Sequence, residues 1–362
     1  MSARLRRLRE RLEPLGADAF LVTSAPNLRW LTGFSGSNGL ALVDHERVVF
    51  VTDARYRIQA ALETGAAGVE VELHVTDDPV AALASVLRGR ARTAFEADDV
   101  TVTRLDVLVK GIDAALVPTS GVIERLRQDK DSVEVDLLKR AAHIADDAFT
   151  QIWDLLGPAL AEGLTERRVA AELDHAMRVG GADAPSFDTI VASGPNGAKP
   201  HARPGDRVIQ SGDLVVLDFG ARLSGYGSDM TRTVVAGASP TERQLELYEA
   251  VLTAQQAGVA AVADGVPELT VDRACREVLG ARGLGEAFTH GTGHGIGLEI
   301  HEPPILSMRS VGILRSGLVI TVEPGIYLPE FGGIRVEDSV VVTAAGCTPI
   351  THSPKGLVPT FP

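Results

Sequence analysis

Four carboxylates in this 362-residue chain stand where an apolar, strand-forming run stops or starts. Asp218 ends the run Leu214-Val215-Val216-Leu217, and Asp229 opens the next strand after a turn holding Gly225 and Gly227. The pattern recurs. Glu323 ends Leu318-Val319-Ile320-Thr321-Val322, and Glu337 lies across the glycine turn Gly332-Gly333. A carboxylate at the end of a buried strand is costly unless it is paired or binds a metal. Taken singly, each acid has a bland reading: Asp218 can cap a turn, Glu337 can pair with Arg335, and Glu323 can sit at the surface before Pro324. Two hairpins that each deliver two acids are harder to dismiss. Their four negative charges match two divalent cations, and carboxylates with one histidine suit hard or intermediate ions such as manganese.

The nitrogen candidate is His294, set among alternating glycines in FTHGTGHGIGLEIHEPP, residues 288–304. Neither G-x-G-x-x-G nor G-x-x-x-x-G-K-[ST] fits those glycines, so a phosphate-cradling loop is excluded. His301-Glu302 has Ile305 where H-E-x-x-H needs a histidine, which excludes the helical zinc motif. Glycine at every second position also opposes a helix. A strand or tight loop remains, with His294, Ile296 and Leu298 on one side and glycines where something must approach closely. His201 lies in the Gly- and Pro-rich loop IVASGPNGAKPHARPGD. A loop histidine is ordinarily just solvated; what singles this one out is its place just before the first acid-bearing strand.

These groups need strands to carry them and helices to cover the strands. The first third alternates apolar strands (DAFLVTS, GLALVD, RVVFVTD, TAFEAD) with helical segments, which predicts an α/β domain over residues 1–127. It opens on an amphipathic helix with Leu5, Leu8 and Leu12 at helical spacing, and no nucleotide fingerprint follows its first strand. A charged stretch marks the boundary to a second domain, residues 128–362. There Ser132 is the expected cap of a helix with the apolar stripe Leu137, Leu138, Ala141, Ile144, Ala145 and Ala148. A second helix runs from the N-cap Thr165 to Gly180-Gly181, and two more span about 241–263 and 271–282. The strands DLVVLDFG, MTRTVVAG, GLVITVEPG and GIRVEDSVVVT between and after these helices predict an α+β fold, with helices over one face of a mainly antiparallel sheet.

Composition narrows the function. At 45% hydrophobic and 23% charged the chain is globular, and a net charge of −13 argues against a nucleic-acid partner. Cys275 and Cys347 are too few for a disulfide framework or a thiolate zinc site and read as core residues. No apolar run reaches the length of a membrane span, and the N-terminus lacks a signal-peptide h-region. A cytoplasmic protein with no membrane partner is expected.

On these residues the chain resembles the pita-bread metallopeptidases (peptidase family M24), the superfamily of methionine aminopeptidase, aminopeptidase P, prolidase and creatinase. The words LDFGARLSGYGSDMTRT, GTGHGIGLEIHE, TVEPGIY and GIRVED carry the resemblance, which covers essentially the whole chain. It implies a C-terminal pita-bread fold with a smaller N-terminal α/β domain of creatinase type. It also implies five metal ligands, Asp218, Asp229, His294, Glu323 and Glu337, holding two divalent ions, manganese foremost, with cobalt or zinc as alternatives. Asp229 and Glu337 would bridge the ions, Asp218 would hold one, and His294 and Glu323 the other. VASGPNGAKPH and GLEIHE resemble the proline-specific branch, which implies His201 and His301 at the substrate and transition state. In the same branch His290 would line a proline pocket, Arg335 would contact substrate and Glu323 would serve as general base. NLRWLTGFSGSNG and VTDARY are similar to aminopeptidase P, and Gly291-Thr292-Gly293 stands where many prolidases carry an arginine-leucine pair. The resemblance therefore implies an Xaa-Pro aminopeptidase acting on small peptides as a homodimer, with an Xaa-Pro dipeptidase as the alternative. A charge that closes the pocket beyond proline and holds its carboxylate would distinguish the two; Arg335, or an arginine from a loop that sequence does not place, could supply it. A non-catalytic pita-bread module that binds a protein is a second class of reading, but such members tend to lose ligands and none is lost here.

Overall fold

The computed structural model describes residues 3–87, 92–157, 160–329 and 331–358, and the chain forms two compact units, Met1–Arg127 and Gln128–Pro362. In the first, helix Ala3–Leu15 buries Leu5, Leu8 and Leu12 as one face of the helical period. Its six strands form one mixed sheet. Strand Ala19–Val22 lies near the centre, antiparallel to Leu40–Asp44 and parallel to Arg92–Glu96. All four of its residues are buried, as a strand covered on both faces requires.

The second unit repeats one construction, a helix pair against an antiparallel sheet. Helices Ser132–Leu156 and Glu166–Val179 share a core with the sheet ordered Met230–Val235, Leu214–Phe219, Ile190–Ser193. Helices Glu242–Ala260 and Glu268–Ala281 share another with the sheet ordered Glu302–Leu306, Gly293–Gly295, Val319–Val322, Asp338–Thr343, Gly346–Pro349. Strand alternation then sorts the side chains. Val215, Leu217 and Phe219 enter the helix-side core, so Val216 and Asp218 turn to the opposite face. Ile320 and Val322 do the same in the larger sheet and leave Thr321 and Glu323 on its other face. The helices cover one side, and the acids collect on the other.

Two local expectations are corrected. The first long helix is capped by Asp131, not Ser132: Asp131 accepts from the amides of Val133 and Glu134, and Glu134 returns the bond in a capping box. Only from Asp131 does a glutamate fall at the third helical position, and its charge also suits the positive end of the helix dipole. Thr165 does cap Glu166–Val179, accepting from the Arg168 amide. The second correction concerns Gly332-Gly333, which lie inside strand Gly332–Arg335 rather than in the turn. A Cβ on Gly332 would stand 2.7 Å from the Gly194 carbonyl oxygen, and one on Gly333 only 2.0 Å from that of Gly197. Both glycines admit the 194–198 loop, and Gly332, with φ 119°, also takes a left-handed conformation where the hairpin closes. Among the described residues no helix is long and apolar enough to cross a membrane.

Candidate metal centre

Antiparallel register brings the acids together. Asp218 faces Thr231, two residues past Asp229, while Val322 faces Asp338, so Glu323 and Glu337 flank the same end of their strand pair. One carboxylate oxygen from each of Asp218, Asp229 and Glu337 lies within 4.8 Å of the others. His294 Nε2 is 3.5 Å from Asp229 Oδ2 and 3.3 Å from Glu323 Oε1, which makes Asp229 common to both groups. All five line one cavity of about 530 Å³, with His201, His290, His301 and Arg335. His294 Nδ1 donates to the Gly295 carbonyl at 3.1 Å, leaving Nε2 as the atom turned to the acids. Histidines that bind metals are oriented in this way.

Without cations these acids destabilise one another. Burial, then the charges of Glu337, Asp218 and Glu323, push Asp229 well above the usual carboxylate range. Burial and the charges of Glu323 and Asp218 do the same to Glu337. Asp218 is raised by burial, against the opposing charge of Arg335. Glu323 goes the other way: burial raises it, but the hydrogen bond and charge of His294 outweigh that and hold it at about 2. Two oxygens, Asp218 Oδ1 and Glu337 Oε1, are buried with no hydrogen-bond partner among the described residues. Buried polar atoms are nearly always paired, so orphaned oxygens beside an aimed imidazole nitrogen fit divalent cations held by the five residues.

Residues 136–344 match metallopeptidase family M24, and residues 4–128 match the creatinase/prolidase N-terminal domain. The chain belongs to metallopeptidase family M24. A Pyrococcus horikoshii Xaa-Pro dipeptidase is 33% identical over 360 residues, covering 99% of either chain. The solved structure of a Bacillus anthracis protein described as an Xaa-Pro dipeptidase matches with a TM-score of 0.93 at 41% identity, over 98% of each chain. That of a Thermotoga maritima X-Pro aminopeptidase matches at 0.88 and 33% identity, over 96% of this chain and 99% of that one. The α+β pita-bread fold with its creatinase-type N-terminal domain is thus the observed architecture.

In this M24 site the other sequence candidates take distinct places. Arg335 is buried behind Asp218, donating to Asp218 Oδ2 at 2.6 Å, Thr231 Oγ1 at 3.0 Å, the Tyr327 hydroxyl at 2.8 Å and the Pro200 carbonyl at 3.3 Å. It fixes the orientation of an acid as well as lining the cavity. His290 has both ring nitrogens engaged, 2.7 Å from the Gly291 carbonyl and 2.8 Å from the Tyr327 hydroxyl, and burial lowers its pKa. His301 stands edge-on to His294 with ring centroids 4.4 Å apart; burial and then the His294 charge lower its pKa. His201 sits exposed on the cavity wall. The glycines beside His294 give clearance to neighbouring strands. A Cβ on Gly293 would meet the Thr321 carbonyl oxygen at 2.0 Å, and one on Gly295 the Pro303 carbonyl oxygen at 2.4 Å.

Sequence reasoning missed the hydroxyls that hold the acids. Thr231 Oγ1 donates to Glu337 Oε2 at 2.6 Å, and Thr321 Oγ1 donates to Glu323 Oε1 at 3.2 Å. Each stands two positions from an acid of the set, Thr231 after Asp229 and Thr321 before Glu323, so strand alternation alone would have placed them on the acid face. It also missed a buried ion pair, Lys130 Nζ to Glu302 Oε2 at 2.9 Å, with side chains 1% and 2% exposed. Glu302 adjoins His301 and accepts from the Glu299 amide, so the pair anchors the segment that presents His301. Lys130→Met removes the counter-charge of a buried carboxylate, which costs about 3–5 kcal/mol. The expected result is a lower melting temperature and a reduced kcat, both largely recovered in Lys130→Arg; calorimetry and steady-state kinetics check it.

Proposed function

We propose that the chain is a metal-dependent Xaa-Pro exopeptidase that holds two divalent ions, manganese foremost, and cleaves the bond between an N-terminal residue and proline. The observation that carries this is the buried Asp218, Asp229, His294, Glu323, Glu337 set with its orphaned oxygens, opening on a cavity that three further histidines line. When bound, two divalent ions lower the pKa of water and meet the charge of a developing oxyanion.

The chain's own groups supply the rest. An Xaa-Pro bond has no N–H, so backbone pairing cannot recognise it and side chains must grip the ring. His290, locked by Tyr327 and the Gly291 carbonyl, offers the ring a fixed wall. Glu323, in the cavity wall, takes a proton from the attacking water and passes it to the proline nitrogen. His201 donates to the oxyanion and His301 steadies the scissile region. Two readings of peptide length stand. The relatives described as Xaa-Pro dipeptidases support the dipeptide. Gly291-Thr292-Gly293 and the Thermotoga maritima neighbour support an aminopeptidase that also takes longer peptides.

Manganese-loaded protein is expected to release alanine from Ala-Pro or Ala-Pro-Ala, to stop in chelator, and to resume when metal is restored. Loaded protein that cleaves neither peptide defeats the reading.

A further inference from the structure

Two arginines line the cavity, and they differ in what they have left to offer. Arg335 is buried, with four of its bonds committed to Asp218, Thr231, Tyr327 and Pro200. Arg203 makes no side-chain hydrogen bond or ion pair among the described residues. Its charged neighbours in the loop are all engaged: Lys199 with Asn196 at 3.2 Å, Asp206 with Arg167 at 2.9 Å, and Arg207 with Asp213 at 2.5 Å. Nor does an ion pair join it to Asp188, the other charged residue on that wall outside the metal set.

The backbone beneath Arg203 is fixed. Buried Glu166 accepts from the Ser193 amide at 2.8 Å, the Asn196 side chain at 3.1 Å and the Gly205 amide at 3.2 Å, and the Arg167 amide donates back to the Gly205 carbonyl. Pro204 confines Arg203 itself to extended conformations. Ala202 is buried against Ala192 and Val216, so the side chains on either side of it, His201 and Arg203, both turn to the cavity. A lone surface arginine is ordinary. This one is a positive charge held on a rigid loop, two residues from His201, in the wall of the reaction cavity.

We propose that Arg203 grips the carboxylate of a C-terminal proline, which makes Xaa-Pro dipeptides the preferred substrates. The proposal rests on the Xaa-Pro reading and deepens it, since it selects peptide length. A guanidinium meets a carboxylate with two parallel hydrogen bonds, whereas a peptide that continues past proline presents a neutral amide at the same point. Two other cavity bases are already committed: Arg335 to its four partners, and both ring nitrogens of His290 to the Gly291 carbonyl and the Tyr327 hydroxyl.

The test compares Ala-Pro with Ala-Pro amide on manganese-loaded wild type, Arg203→Ala and Arg203→Lys. In Arg203→Ala the ratio of kcat/KM for Ala-Pro to that for the amide is expected to fall about ten- to a hundredfold, chiefly through KM, the range of a charge-assisted contact. Arg203→Lys falls between. Free L-proline, as an inhibitor, weakens by a similar factor relative to prolinamide. Should Arg203→Ala fail to fold, Arg203→Gln carries the same comparison. An unchanged ratio, or an equal loss on both peptides, overturns the role of Arg203 while leaving the Xaa-Pro reading intact. A wild type that cleaves neither peptide overturns both.

Discussion

Asp229→Asn is expected to remain folded while losing metal and losing turnover by far more than the roughly hundredfold lost when a group that only hydrogen-bonds to a metal ligand is removed. Asp229 is the acid shared by both groups of the site, within 4.8 Å of Asp218 and Glu337 through one oxygen and 3.5 Å from His294 through Oδ2. Its loss opens both groups at once. The fold should tolerate the change, because burial and three neighbouring acids already oppose its charge and a neutral amide relieves that repulsion. Elemental analysis and circular dichroism on the same preparation read the two effects separately. Two ions retained per chain with full turnover would contradict the assignment of Asp229.

Metal removal should reverse the way stability depends on pH. In the metal-free protein Asp229 and Glu337 have pKa values well above those of the unfolded chain, so the folded state binds more protons. Stability therefore falls as pH rises above the ordinary carboxylate range and through the folded values. His294, also raised, adds to the same trend: its contribution is full below its unfolded pKa and is lost as pH climbs through the folded one. Glu323 is the exception. Its depressed value gives stability that is full above the unfolded carboxylate value and is lost as pH falls from there through about 2, below this window. Cations need the ionised acids and displace their protons, so affinity grows with pH. The gap in melting temperature between manganese-loaded and chelator-treated protein is thus expected to widen from about pH 5 to about pH 8. A gap that stays constant or narrows would show that these acids do not share a cation site.

What the sequence reveals here depends on how local the cause is. Acids at strand ends were legible because alternation fixes which face Asp218 and Glu323 take once Leu217 and Val322 are known to be core. Leu5, Leu8 and Leu12 were legible by helical period, and Thr165 by its place before a helix. Asp131 displaced Ser132 as a cap because two adjacent residues can both serve, and the glutamate three positions on decides between them. Gly332-Gly333 misled because a glycine demanded by close packing looks in sequence like one demanded by a turn. Lys130 and Glu302 lie 172 positions apart and carry no local pattern that pairs them. The same holds for Arg335, whose commitment to Asp218 spans 117 positions, and for Arg203, whose lack of partners among the described residues only the folded chain displays.

A proline-specific metallopeptidase built on this cluster of acids and histidines is distinguished by kcat/KM for Ala-Pro against Ala-Ala on the manganese-loaded enzyme. Ala-Pro is expected to be favoured by about tenfold or more, the discrimination that a pocket fitted to extra ring carbons provides, with chelator abolishing both rates. Ala-Ala hydrolysed as fast as Ala-Pro, or cleavage of Ala-Pro that persists in chelator, would contradict it.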